Sequence, residues 1–350
     1  MALKFAVSGT LLGSTDGDST FGQPCHGTFV ARRSVEGIVA AAAKLAEFFY
    51  RDEYVYDVVE RGIRHTFDVQ RPRKIRDALV RCGALDAEAF ISAPALTDED
   101  LGLVHTPVYV QSIKDPETLA RYLLLDPTHP WDAKLLQPFL YASGGTVAAA
   151  QSAVDRGSVS VNLAGGYHHA QADKAEGFCA IADVAIAIRR LRAAGFLHDV
   201  LIVDLDAHHG NGNALIFAHD ESVFTFSIHD VRWCNVAKRN NLDIELRPHT
   251  GDVAYLAVLT DHLPRIVSSF APGLVIYIAG SDPYVGDPLG VFDLSEEGLL
   301  ERDRIVTRAT FGRGIPLAVV TAGGYGEESW RLHFNYFRWL LDESVIAGRC

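Results

Sequence analysis

The sequence predicts a single-domain α/β fold, with a central and mostly parallel β-sheet flanked by helices. Short apolar runs alternate along the chain with longer amphipathic stretches, the pattern of βαβ units. The 350 residues are 48 % hydrophobic, which is enough to bury one large core. No repeat, low-complexity tract or linker divides them, and proline and glycine fall between elements rather than in runs.

Residues 1–51 read as an N-terminal extension ahead of a main domain over 52–350. Within the extension, residues 34–50 have helical spacing, with Ile38, Ala42, Leu45, Ala46 and Phe49 on one face. That helix is expected to pack on the back of the domain, with an oligomer contact or a lid as the alternative. Thr97, ahead of Asp98–Asp100, reads as a helix N-cap. Further helices are expected over Gly144–Arg156, Ala180–Ala194, Val253–Phe270 and Ser295–Phe311. Strands are expected over Val159–Leu163, Val200–Val203, Val223–His229, Leu274–Ile278 and Ile315–Val320.

Polar groups gather where these strands end. After Val203 the chain reads Asp204-Leu205-Asp206-Ala207-His208-His209-Gly210-Asn211-Gly212. Strand alternation would place Asp204, Asp206 and His208 on one face. Buried close together without a basic residue, they would repel and lose hydration, and a divalent cation resolves that conflict. For an isolated Asp-x-His, capped carboxylates and an ordinary core histidine are the better reading. Here three other strands end alike: in Gly165-Gly166-Tyr167-His168-His169, in Gly280-Ser281-Asp282 and in Gly323-Gly324-Tyr325. The carboxyl edge of an open parallel sheet is where ligands bind, so these residues are expected to form one catalytic site.

The net charge of −12, from 44 acidic and 32 basic residues, argues against nucleic acid as a partner. It suits a cationic substrate, as it does many other enzymes. Five cysteines without a Cys-x-x-Cys pair suit free thiols in a reducing compartment, and Cys179 reads as a small buried hydrophobe. Residues 1–13 are too weakly apolar for a secretory signal, and no stretch has the roughly 18 apolar residues of a membrane span. The expected location is therefore cytoplasmic.

The motifs GGYHHA (165–170), EGFCA (176–180), DLDAHHGNG (204–212), AGSDPYVGDPLG (279–290) and TAGGYG (321–326) resemble the zinc-dependent histone deacetylases of the arginase–deacetylase superfamily, most of all class IV. The likeness runs from about residue 52 to about 342. It implies the arginase–deacetylase fold, with 52–350 as the catalytic domain. It also implies one zinc per chain, held by Asp206, His208 and Asp282, with ferrous iron as the alternative ion. A water and the acyl carbonyl would take the open positions. His169 is implied as general base and then acid, with His168 in electrostatic support. Asp204 would orient His168, and Asn211 would sit behind His169. Many relatives have aspartate at that position, so the amide should leave His169 less basic. Tyr325 would donate to the oxyanion. Gly177 and Phe178 would line a tunnel for an acyl-lysine side chain.

The loop 230–235 departs from the family pattern, and Trp233 is the candidate for the second tunnel wall. Ser227, near Asp204, reads equally as a strand-end serine or as a ligand of a structural potassium ion. Gly210 stands where arginase-like members carry a metal-bridging aspartate, so a single metal is expected. The implied activity is hydrolysis of Nε-acyl-lysine in proteins or peptides. The alternatives are an acetylpolyamine amidohydrolase or, less well supported, a silent protein that binds acyl-lysine or a partner. Acyl length, physiological substrate and oligomeric state stay open at this stage.

Overall fold

The computed structural model describes residues 46–55, 66–126, 129–230 and 240–342. Eight strands lie in one sheet: β1 (Ala46–Phe49), β2 (Phe90–Ile91), β3 (Val159–Asn162), β4 (Val200–Asp204), β5 (Val223–Asp230), β6 (Asn241–Leu246), β7 (Leu274–Ile278) and β8 (Leu317–Val320). Their order is β2-β1-β3-β8-β7-β4-β5-β6, and every neighbouring pair is parallel.

The apolar runs are continuous because both faces of the sheet are covered. Val200, Ile202, Leu274, Ile276, Ala318 and Val320 face helices Gln137–Arg156 and Asp183–Ala193. Their neighbours Leu201, Val203, Val275, Tyr277, Leu317 and Val319 face helices Asp252–Phe270, Glu296–Ala309 and Ser329–Leu340. Every residue of β4 and β7 is buried. Full burial of each such aliphatic side chain contributes about 1.5–3 kcal/mol, before the entropy of ordering the chain is set against it.

Helices occur at the four expected places, and Thr97 caps its short helix reciprocally with Asp100. The amino-terminal helix needs correction. Residues 34–45 lie outside the described residues, and Ala46–Phe49 is strand β1, paired with β2 and β3. Ala46, Phe48 and Phe49 satisfy either period over so short a run, and the sheet's pairing decides it. Phe48 packs edge-on against Phe337 of helix Ser329–Leu340, with ring centroids 5.8 Å apart.

Strand order explains why distant motifs meet. β3, β8, β7 and β4 are successive neighbours, with β5 next, so their carboxyl-terminal loops form one continuous rim. No described helix is long and apolar enough to cross a membrane.

Candidate active site

Each loop of the rim is held by a buried side chain from another element. Asp183, at the start of helix Asp183–Ala193, accepts the backbone N–H groups of Gly166 and Tyr167 at 2.8 Å and the Thr146 hydroxyl at 2.6 Å. It thereby sets the turn that presents His168 and His169. Arg302 is buried against Asp303, with Nη2 at 2.8 Å, and donates to the carbonyls of Leu205 (3.1 Å) and Gly280 (2.6 Å). One guanidinium thus ties together the loops that carry Asp206 and Asp282. Arg71 donates to the carbonyl of Gly323 at 2.9 Å, to that of Ala322, and to Thr321 Oγ1 at 3.1 Å. Asp287 accepts from the backbone N–H of Tyr325 at 2.6 Å. Arg71 and Asp287 together fix the loop that bears the phenol.

β4 ends at Asp204, so Asp206 and His208 lie in a bend rather than on a strand face. Strand alternation is not what assembles them. Asp206 Oδ1 accepts the backbone N–H of His208 at 3.0 Å, and its Oδ2 accepts that of Gly323 at 2.9 Å. His208 Nδ1 sits 3.1 Å from Asp206 Oδ1 and 2.9 Å from Asp282 Oδ2. Asp206, His208 and Asp282 offer ligand atoms within 4.8 Å of one another.

Burial and the Asp206 charge push Asp282 up to about 7. Burial alone would lower His208, but its hydrogen bonds to Asp206 and Asp282 outweigh it and lift the ring to about 11. Two buried carboxylates thus hold a positive charge at this point. A divalent cation fits the same demand, and the two-oxygen, one-nitrogen donor set suits zinc or a similar ion.

The tandem histidines are in ring contact, with centroids 4.0 Å apart and planes tilted by 48°, and have unlike partners. His168 Nδ1 is 2.8 Å from Asp204 Oδ2. Burial opposes its charge, but Asp204 and Asp206 prevail and raise it to about 9. His169 Nδ1 is 2.8 Å from Asn211 Oδ1, and burial, then the charge on His168, drive it well below the usual histidine range. Asn211 Nδ2 donates to Glu176 Oε2 at 3.2 Å, which orients the amide with its oxygen towards His169. The ring therefore carries its proton on Nδ1 and leaves Nε2 as an acceptor.

Burial, with Asp206 and Asp282, keeps the Tyr325 phenol well above its ordinary value, so it is a hydrogen-bond donor. Its ring lies 6.3 Å from His208 and 6.0 Å from Phe178.

Two glycines are required by their neighbours. A Cβ on Gly177, whose φ is +54°, would meet His169 Cδ2 at 2.2 Å. A Cβ on Gly210 would meet Asp204 Oδ2 at 2.1 Å, so this rim has no room for a bridging aspartate there. His168, Gly323 and Tyr325 line a cavity of about 120 Å³ together with Phe178, Leu123 and Phe139.

The structure brings together His168, His169, Asp204, Asp206, His208, Asn211, Gly177, Phe178, Asp282 and Tyr325. Trp233 lies outside the described residues, as do Cys25, Cys234, Cys350, His26 and His65. Ser227 pairs with Asp204 across β4 and β5, and its hydroxyl is 2.8 Å from His229 Nδ1. His249 is exposed beside Asp293. Cys179 is buried, and burial pushes its thiol up, as a packing role requires. Sequence reasoning missed Arg71, Asp183, Asp287, Arg302 and the part played by Glu176. Arg302 and Asp303 sit in a helix that reads as charged and solvated, and only their burial marks them. Arg71 carries a signal of its own, an arginine directly ahead of Pro72 at the start of a helix.

The family profile of the histone deacetylase domain matches residues 65–338. An uncharacterized protein of Picosynechococcus is 38 % identical over 293 residues, covering 82 % of this chain and 94 % of its own. Histone deacetylase 2 of Arabidopsis thaliana is 34 % identical over 309 residues, covering 84 % and 79 %. The solved structure of an HDAC homolog from Aquifex aeolicus superposes with a TM-score of 0.67 at 26 % identity, covering 85 % of this chain and 82 % of that one.

Proposed function

Because the chain belongs to the histone deacetylase family and is thereby a hydrolase of amide bonds, we propose that it is a zinc-dependent deacylase of Nε-acyl-lysine in proteins or peptides. The observation that supports this most is the unlike protonation of groups around one centre. A neutral His169 and a protonated Tyr325 flank Asp206, His208 and Asp282.

Zinc held by Asp206, His208 and Asp282 would polarise the acyl carbonyl and acidify the attacking water. His169 Nε2 takes a proton from that water and returns it to the leaving amine as the C–N bond breaks. His168, kept cationic by Asp204, offsets negative charge developing beside it. Tyr325 donates its hydroxyl hydrogen to the oxyanion, a bond stronger in the transition state than in the ground state. Gly177, Phe178 and Tyr325 line one apolar cavity, which offers room for the acyl-lysine chain. The class IV assignment, ferrous iron as the alternative ion, and a potassium ion by Asp204 and Ser227 belong to the same reading.

Zinc-loaded protein assayed on matched peptides from acetyl-lysine to long-chain acyl-lysine, with an acetylpolyamine alongside, tests the proposal. Peptide hydrolysis is the expected result. Turnover of the polyamine alone would replace it with an acetylpolyamine amidohydrolase. Silence on every substrate with zinc bound would point to a binding protein.

A further inference from the structure

Next to the site, on the side of β4 facing β5, lies a second cluster with a different composition. His209 follows the ligand-bearing turn, His229 stands near the end of β5, and Asp243 lies on β6. Ser227 pairs with Asp243 and His229 with Glu245, so His229 and Asp243 project from the same face of the sheet. One ligand atom from each of His209, His229 and Asp243 falls within 4.8 Å of the other two. His209 is 1 % exposed and His229 0 %, and the Asp243 side chain is 6 % exposed.

The hydrogen-bond inventory of this cluster is incomplete in one direction. Asp243 Oδ2 accepts from Asn241 Nδ2 at 2.5 Å, which turns Oδ1 inward. That oxygen is 3.2 Å from His209 Nε2. Yet among the described residues neither ring nitrogen of His209, nor Asp243 Oδ1, meets hydrogen-bond geometry with a protein group. Buried polar atoms are almost always paired, so His209 Nε2 and Asp243 Oδ1, which lie side by side without a bond, call for a missing partner. The His209 and His229 rings lie 4.4 Å apart at 37°. His229 Nδ1 is held at 2.8 Å by Ser227 Oγ, the arrangement by which an outer hydrogen bond orients a ligating imidazole.

We propose that His209, His229 and Asp243 form a second metal site, for zinc or another borderline divalent transition ion. Two imidazoles and one carboxylate select such an ion over magnesium or calcium, which take oxygen donors. With three protein ligands, a water completes a tetrahedral set. The ion ties the turn that carries His208 and Asn211 to β5 and to the edge strand β6. It thus braces the catalytic rim without taking part in the reaction.

The test is metal content after reconstitution with zinc and removal of excess ion, read by inductively coupled plasma mass spectrometry. Wild-type protein should hold two zinc ions per chain, and Asp243→Asn and Asp206→Asn should each hold one. Loading wild type with cobalt(II) should give two sequential sets of visible bands, of which Asp243→Asn keeps one. Asp243 lies on the edge strand, where the substitution is isosteric, and His209→Gln serves as a second variant. A wild-type plateau at one ion per chain would overturn the proposal whether or not either variant folds. So would two ions retained by folded Asp243→Asn and His209→Gln.

Discussion

His168 and His169 are neighbours in sequence, in ring contact in space and almost equally buried, yet they hold protons in opposite ways. His168 faces the carboxylate of Asp204 and is raised to about 9, whereas His169 faces the amide of Asn211 and falls well below the ordinary value. Burial acts in the same direction on both rings, so the partner's charge makes the difference. One dyad stores a positive charge and the other keeps its ring neutral. A site that must supply electrostatic support and a base at neutral pH needs both.

The division of labour breaks most sharply at the base. His169→Ala should lower kcat by about 10²–10⁴-fold, the usual contribution of general acid–base catalysis. A larger loss in His168→Ala would mean that the two roles are exchanged. Tyr325→Phe should cost about 10²–10³-fold, the magnitude of one lost oxyanion donor. Its zinc content should equal the wild type's, and an unchanged kcat would remove the phenol from the reaction.

Exchanging the partners sharpens the comparison. Asn211→Asp places a carboxylate behind His169 and should raise its pKa, because an adjacent negative charge favours the imidazolium. Because the neutral ring is the active form, the acid limb of the kcat/KM profile should move upward in pH by the same amount. An unmoved limb would show that another group controls it. Asn211→Ala should have the smallest effect, a loss of kcat below that of His169→Ala, since the ring loses its orienting bond but stays neutral. A greater loss than in His169→Ala would again misplace the base.

The same contrast runs through what could be read in advance. The strands β3, β4, β5, β7 and β8 and the helices between them were legible, because burial on both faces demands unbroken apolar runs. Catalytic candidates were legible too, since carboxylates and histidines at strand ends are costly unless they serve a purpose. Residues 46–49 were misread as helix, because the three apolar positions Ala46, Phe48 and Phe49 fit either period until a partner strand is known.

Local chemistry written along the chain therefore determined the fold class, the rim and the candidate side chains. Tertiary structure alone decided strand order, and with it the meeting of loops from β3, β8, β7 and β4. It also decided which partner each group has. Arg71 reaches Gly323 across 252 positions, and Arg302 reaches Leu205 across 97. The proton on each histidine follows from such long-range pairings. A side chain's residue type is local, but its charge state depends on burial and on neighbours that only the folded chain supplies.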